Sequence, residues 1–322
     1  MTRPYCPGVI LLSFIAILFF SSLPLRAQEN NYGYGFQKGP AAYHFNKLHS
    51  YLMQNRFAEN TNSLSNTASS SPQPNLSMFD NVGQNFLDSF KGSNLYLQLA
   101  GVAATCLIVP TGVDYHVEKY FNENETYGDI ARPVVYTGML LPFIASGSLY
   151  AYAKLKNDNQ VLGASFAVMQ ASIVQLIYNS ALKAVTGRPH PDWQHVSDME
   201  SLSKTFRFGF LRGGVFWGWP SGHTSATTAV VSALMGYYPN STWLKIAGFG
   251  LMAYTIFGVS AFHRGGMHWF SDAVAAAFIS YAVGSTIGKY YRSRFPGGNG
   301  SGANISSGTG GSFNAFSFSI QF

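Results

Sequence analysis

Six apolar stretches, Leu95–Val113, Pro133–Ala153, Val161–Leu182, Thr224–Tyr238, Ile246–Phe262 and Ala273–Gly288, contain no Lys, Arg, Asp or Glu. An amphipathic soluble bundle carries charges on the outer face of each helix. These stretches offer none, so they cannot all present an outer face to water. Several reach the roughly 20 residues that cross a hydrocarbon core, while the fourth and sixth are shorter and lean on flanking aromatic or small residues. The pattern predicts an all-α protein, a helical bundle of about six mostly transmembrane helices. Small residues recur inside the stretches, as at Ala275-Ala276-Ala277 and at Gly248 and Gly250, which permits close helix packing. A soluble bundle of buried helices is the alternative.

Composition supports the membrane class. Charged residues make up 11% of the chain and apolar ones 47%, against roughly 25% charged in soluble domains. The net charge of +6 is modest, and no basic stripe is interleaved with aromatics, so nucleic-acid binding is not expected. Arg3, the apolar run Gly8 to Phe20 and the small Ala27 read as an export signal over residues 1–27, with an uncleaved anchor as the alternative. Residues 28–94 are polar and, between Glu59 and Ser77, rich in Asn, Ser, Thr and Pro, the composition of a disordered linker. The helical domain then occupies 95–294, and a Gly/Ser-rich tail 295–322 follows. If Cys6 leaves with the signal, Cys106 stands alone and no intramolecular disulfide forms.

Polar chemistry gathers in three blocks. Lys183 closes the third stretch and opens Lys183-Ala184-Val185-Thr186-Gly187-Arg188-Pro189-His190-Pro191. Pro220-Ser221-Gly222-His223 is a tight turn running into a helix, with a histidine at the helix mouth and exposed backbone N–H groups. His268 and Asp272 stand at i and i+4, on one helical face. Two histidines, one backed by a carboxylate, beside Lys and Arg that can neutralise phosphate oxygens, suit phosphoryl transfer. Read separately, Lys183 with Arg188 could be interfacial side chains, and His268 with Asp272 a helix-capping ion pair. Asp192, His195 and Asp198 follow His190 at a spacing that fits no compact metal site, so no metal and no cofactor are expected.

The three blocks resemble the phosphatidic acid phosphatase type 2/haloperoxidase superfamily. Its pattern is a Lys with an Arg-Pro seven residues on, then Pro-Ser-Gly-His, then Ser-Arg, five residues, His, three residues and Asp. The resemblance covers about Leu95 to Arg294. It implies that His268 is the nucleophile that forms a phosphohistidine, that Asp272 fixes its tautomer, and that His223 is the general acid. It further implies that Lys183, Ser221 and the Gly222 N–H hold phosphate oxygens. The arginines depart from the pattern. His190 stands where the first Arg is due, with Arg188 two residues earlier; Phe262 stands where the second is due, with Arg264 two residues later and Ala261 in place of Ser. In regular helix, a shift of two turns a side chain by about 200°. Pro189, Pro191, Gly265 and Gly266 favour irregular backbone, from which Arg188 and Arg264 are expected to reach the phosphate, with His190 as a weaker, pH-dependent substitute.

The function this implies is a membrane phosphatase that hydrolyses a lipid-linked phosphate or diphosphate: phosphatidic acid, phosphatidylglycerophosphate, undecaprenyl diphosphate or a lipid A type of substrate. The rivals are an exported soluble acid phosphatase and a non-catalytic membrane protein that binds lipid phosphate. Lys154, Lys156, Lys245 and the Lys289/Arg292/Arg294 cluster mark the cytoplasmic side, which turns the site toward the periplasm of a bacterial inner membrane. A cleaved signal would instead place residues 28–94 outside and six full spans would bring the site inside. One early segment is therefore expected not to cross.

Overall fold

The computed structural model describes residues 76–124, 126–214, 218–262 and 267–295. The export signal, most of the polar N-terminal segment, Arg264 and the tail beyond residue 295 lie outside the described residues.

The described chain is helical throughout and contains no strand. Two short leading elements, α1 (Val82–Asp88) and α2 (Ser93–Ile108), are followed by α3 (Val113–Glu123) and α4 (Thr126–Ala131). Then come α5 (Pro133–Lys156), α6 (Asn159–Thr186), α7 (Met199–Ser203), α8 (Gly222–Tyr237), α9 (Thr242–Ser260) and α10 (Phe270–Arg294). Local chemistry sets these boundaries. Pro133 opens α5, where its missing N–H costs nothing, and Asn157 in the left-handed region ends it. The Asp158 carboxylate accepts from the N–H groups of Gln160 (2.9 Å) and Val161 (3.1 Å), which starts α6. Gly187, at φ 53°, closes α6.

The organising element is α8. Its side chains from Thr224 onward are almost all buried, enclosed by α5, α6, α9 and α10. Against α10 the backbones come close enough that a Cβ on Gly288 would lie 2.1 Å from the Ala233 carbonyl oxygen. Only glycine fits there, and the close approach locks the two helices that carry the second and third blocks. Beside them α2 runs antiparallel to α10. Asn94 donates to Thr286 Oγ1 (2.8 Å) near one end, and the Trp219 indole donates to Thr105 Oγ1 (2.7 Å) near the other.

Four stretches are long and apolar enough to cross a membrane: Thr126–Lys156, Asn159–Thr186, Thr242–Ser260 and Phe270–Arg294. Two expected spans differ. The first breaks after Ile108, and α3 leaves α2 at 74°, so the pair forms at most one bent fifth crossing. The fourth, α8, has 16 residues and lies inside the others rather than beside them. Leu107, Met139, Phe143, Leu155, Leu176 and Ile177 are exposed on the outside of the bundle, as a lipid-facing surface requires. Lys154, Lys156 and the Lys289/Arg292/Arg294 cluster fall at the end of the bundle away from His268. The Ser77 carbonyl, which accepts from the Tyr291 hydroxyl (2.7 Å), lies at that same end.

Candidate active site

Three helix ends converge on one region. Lys183 occupies the last turn of α6, and Arg188 and His190 follow on the loop after Gly187. Ser221 caps α8: its Oγ accepts from the Thr224 N–H (3.4 Å) and its carbonyl from the Ser225 N–H (3.0 Å). The N–H groups of Gly222 and His223 precede the first intrahelical bond and carry the positive end of the helix dipole. His268 stands just before α10, and Asp272 lies in its first turn. Three bonds stitch the blocks together. The Ser221 N–H donates to the Asp272 carbonyl (3.0 Å), the Trp269 indole to the Pro189 carbonyl (2.8 Å), and the Thr186 hydroxyl to the Trp219 carbonyl (3.0 Å).

His268 is the pivot of the arrangement. Its Nδ1 lies 3.5 Å from Asp272 Oδ2, the i,i+4 relation read from the sequence, though longer than a formed hydrogen bond. Distances of this kind often tighten when substrate arrives. The ring centroid of His190 is 4.5 Å from that of His268, and the centroid of His223 is 6.4 Å away. A Cβ placed on Gly222 would meet only Lys183 Nζ and Asn179 Nδ2, each at 3.8 Å. An ammonium group and an amide thus face Gly222 at van der Waals distance, next to the helix mouth, a setting that attracts an anion.

Burial decides the charge state of the loop histidines. His268 is 2% exposed, and loss of water holds its pKa well below 6.5; the positive charges of Lys183, His223 and Arg188 push the same way. His190 is lowered to about 3, first by burial and then by His268 and Lys183, with Asp272 opposing. Both imidazoles are neutral at neutral pH. For His268 that is the form with a lone pair to attack with. For His190 it means a polar contact without the fixed charge an arginine would bring.

Arg188, expected to reach a phosphate, has protein partners of its own. It is fully buried, its terminal nitrogens are held by protein oxygens, and none of its atoms lies within 4 Å of a Cβ on Gly222. One terminal nitrogen bonds Asp272 Oδ1 and Ser271 Oγ (2.7 Å); the other bonds Asp114 Oδ2 (2.6 Å) and the Ser203 carbonyl. The irregular backbone after Gly187 does rescue Arg188 from a helical face, but two carboxylates capture it. His190 instead stands beside His268, at the position where the family pattern calls for Arg. Lys183, Ser221, Gly222, His223, His190, His268 and Asp272 are thus gathered, Arg188 lies behind them, and Arg264 is outside the described residues. Asp192 and His195 pair with each other at 2.9 Å on the surface.

Asp114 went unnoticed in the sequence. It is fully buried in the first turn of α3, and it accepts from the Ser271 N–H (2.8 Å) and the Ser271 hydroxyl (2.6 Å) as well as from Arg188. Its one signal is an acid following the long uncharged stretch that begins at Gly92, directly after the helix-breaking Thr111-Gly112. Nothing in local spacing links it to partners 74 and 157 residues away.

The fold and the site together define, among the described residues, a helical bundle with histidines, a lysine and a helix mouth gathered around Gly222. Residues 161–295 match the family model of the PAP2 superfamily. That part of the chain, with all three blocks, is similar to this superfamily, and the match supports a phosphatase-type hydrolase in general. Helices α1 to α5, Asp114 included, precede the match. No curated protein and no solved structure matches the chain.

Proposed function

We propose that the protein is a membrane phosphatase acting on a lipid-linked phosphate or diphosphate through a phosphohistidine on His268. One observation carries this reading: His268, backed by Asp272, stands with His223, Lys183 and the α8 N-terminus around Gly222. The distal imidazole nitrogen attacks phosphorus while Asp272 accepts from the Nδ1–H. The bond from phosphorus to the leaving oxygen breaks, and His223 supplies that oxygen's proton. Water then attacks the phosphohistidine, giving its proton to His223, and inorganic phosphate leaves. Lys183, Ser221 and the first-turn N–H groups stabilise charge on the equatorial oxygens. His190 adds a neutral donor. A site at helix mouths above an apolar flank suits a substrate whose head is polar and whose tail stays in lipid.

A phosphate-release screen over phosphatidic acid, phosphatidylglycerophosphate, undecaprenyl diphosphate, lipid A and soluble phosphomonoesters tests the reading. Wild type should act on at least one lipid phosphate, with His268→Ala and His223→Ala inactive. Turnover that survives His268→Ala contradicts the nucleophile, and action on soluble esters alone contradicts the lipid substrate.

The basic residues further favour a bacterial inner membrane with the site facing the periplasm. That orientation leaves Ser77 on the cytoplasmic side, against a cleaved signal that delivers residues 28–94 outside. In a cysteine-free background an impermeant maleimide should label Lys204→Cys but not Lys91→Cys in intact spheroplasts. The reverse pattern places the site in the cytoplasm.

A further inference from the structure

We infer that Asp114 and Arg188 are positioning residues for the His268–Asp272 pair, and that Arg188 is not a phosphate ligand. The inference rests on the phosphatase reading above and deepens it. Arg188 has no exposed surface, and its guanidinium carbon lies 4.8 Å from the ring centroid of Phe206 and 5.7 Å from that of Trp269. Both terminal nitrogens are taken by protein oxygens. Reaching Gly222 would mean leaving two carboxylates inside the protein without their cation, so the side chain stays where it is.

Its position has a consequence for the chemistry. Arg188 holds Oδ1 of Asp272, which leaves Oδ2 as the oxygen that faces His268 Nδ1. The plane of the carboxylate, and with it the imidazole tautomer, is set from behind. Asp114 in turn holds Arg188 and grips the first turn of α10 through the backbone and side chain of Ser271. A carboxylate suits the positive end of that helix. Asp114 also balances the charge of Arg188. Without it, Asp272 would answer Arg188 alone and become a poorer acceptor for His268. The centre is therefore completed by a residue from outside the family match, delivered by the bend between α2 and α3.

The test compares Asp114→Asn, Asp114→Glu and Arg188→Lys with wild type in the full-length protein in nanodiscs. Asp114→Asn should lower kcat ten- to a hundredfold with KM and the inhibition constant for orthovanadate within threefold. The acid limb of kcat/KM should move to lower pH, because a negative charge that favours the imidazolium is gone. Asp114→Glu should recover part of kcat. A rise in the vanadate constant that tracks the loss of kcat in Arg188→Lys makes Arg188 a ligand and overturns the inference, as does wild-type kcat in Asp114→Asn. A readout free of turnover is 15N-histidine NMR, with His268 assigned by difference from His268→Gln. Wild type should show the Nδ1–H tautomer alone and Asp114→Asn a mixture; identical spectra overturn the inference even if no substrate is found. A wild type that hydrolyses nothing would count against the phosphatase reading only. Should Asp114→Asn fail to accumulate, Ser271→Ala removes one donor from Asp114 while keeping every charge, and a smaller loss of kcat and a smaller share of the second tautomer are expected, with the acid limb unmoved; wild-type kcat and a single tautomer in that variant overturn the inference.

Discussion

Lys183 and Arg188 come from one sequence block, carry the same charge and end in opposite places. Lys183 is still on α6, so the helix aims its ammonium at Gly222. Arg188 follows Gly187, where the chain has left the helix, and its longer, forked head turns back between Asp114 and Asp272. The guanidinium can satisfy several oxygens at once in fixed directions, whereas an ammonium is a point charge. Chemistry thus divides the two cations: the compact one faces Gly222, the planar one binds two carboxylates, one of which lies beside His268.

That division yields an ordered set of effects. Arg188→Ala should be the most damaging to the fold, by about 3–5 kcal/mol, because it strands two buried carboxylates. Denaturant titration in detergent checks it, and a loss confined to activity would break the contrast. Lys183→Ala should keep its thermal midpoint and lose about 10²–10³ in turnover, the scale of removing one charge-stabilising donor. Steady-state kinetics beside a melting curve measures both. Gly138→Ala sharpens the picture from the opposite side of the site. A Cβ there would lie 2.6 Å from His223 Cβ and 2.7 Å from its Cα, so overpacking of about 1–3 kcal/mol should displace His223 and slow protonation of the leaving group. Near-normal turnover would mean α5 yields instead.

The smallest effect is pH-dependent. His268 and His190 are held neutral in the fold, His190 down to about pH 3, while the unfolded chain protonates them near 6.5. Below 6.5 the unfolded state binds more protons, so stability falls as pH falls. Melting points between pH 7 and 4 should decline, and His190→Gln should flatten the decline. An unchanged slope in that variant would show His190 to be protonated in the fold.

Much of this architecture could be read in the sequence because its signals are local. Charge-free runs marked the helices, whereas His268, expected on one helical face with Asp272, stands before the N-cap of α10 and approaches Asp272 from the loop. Ser221-Gly222-His223 marked the helix mouth. The break after Ile108 was half hidden, since the apolar run continues across it and Pro110-Thr111-Gly112 alone marks the turn. Asp114 was hidden for the same reason that it matters: its partners meet it only after the bundle closes. The fate of Arg188 was half legible. Gly187 and the prolines foretold irregular backbone, but the competing carboxylate across the fold could not be seen from one segment.

The central claim is that His268 carries the phosphoryl group. Rapid quench of the full-length protein with a 32P-labelled lipid phosphate, followed by mass spectrometry at alkaline pH, tests it directly. The account predicts an acid-labile, base-stable phosphoryl adduct on His268 that appears before phosphate release and is absent from His268→Ala. An adduct on His223 or His190, or burst-free turnover with no adduct at all, would contradict it.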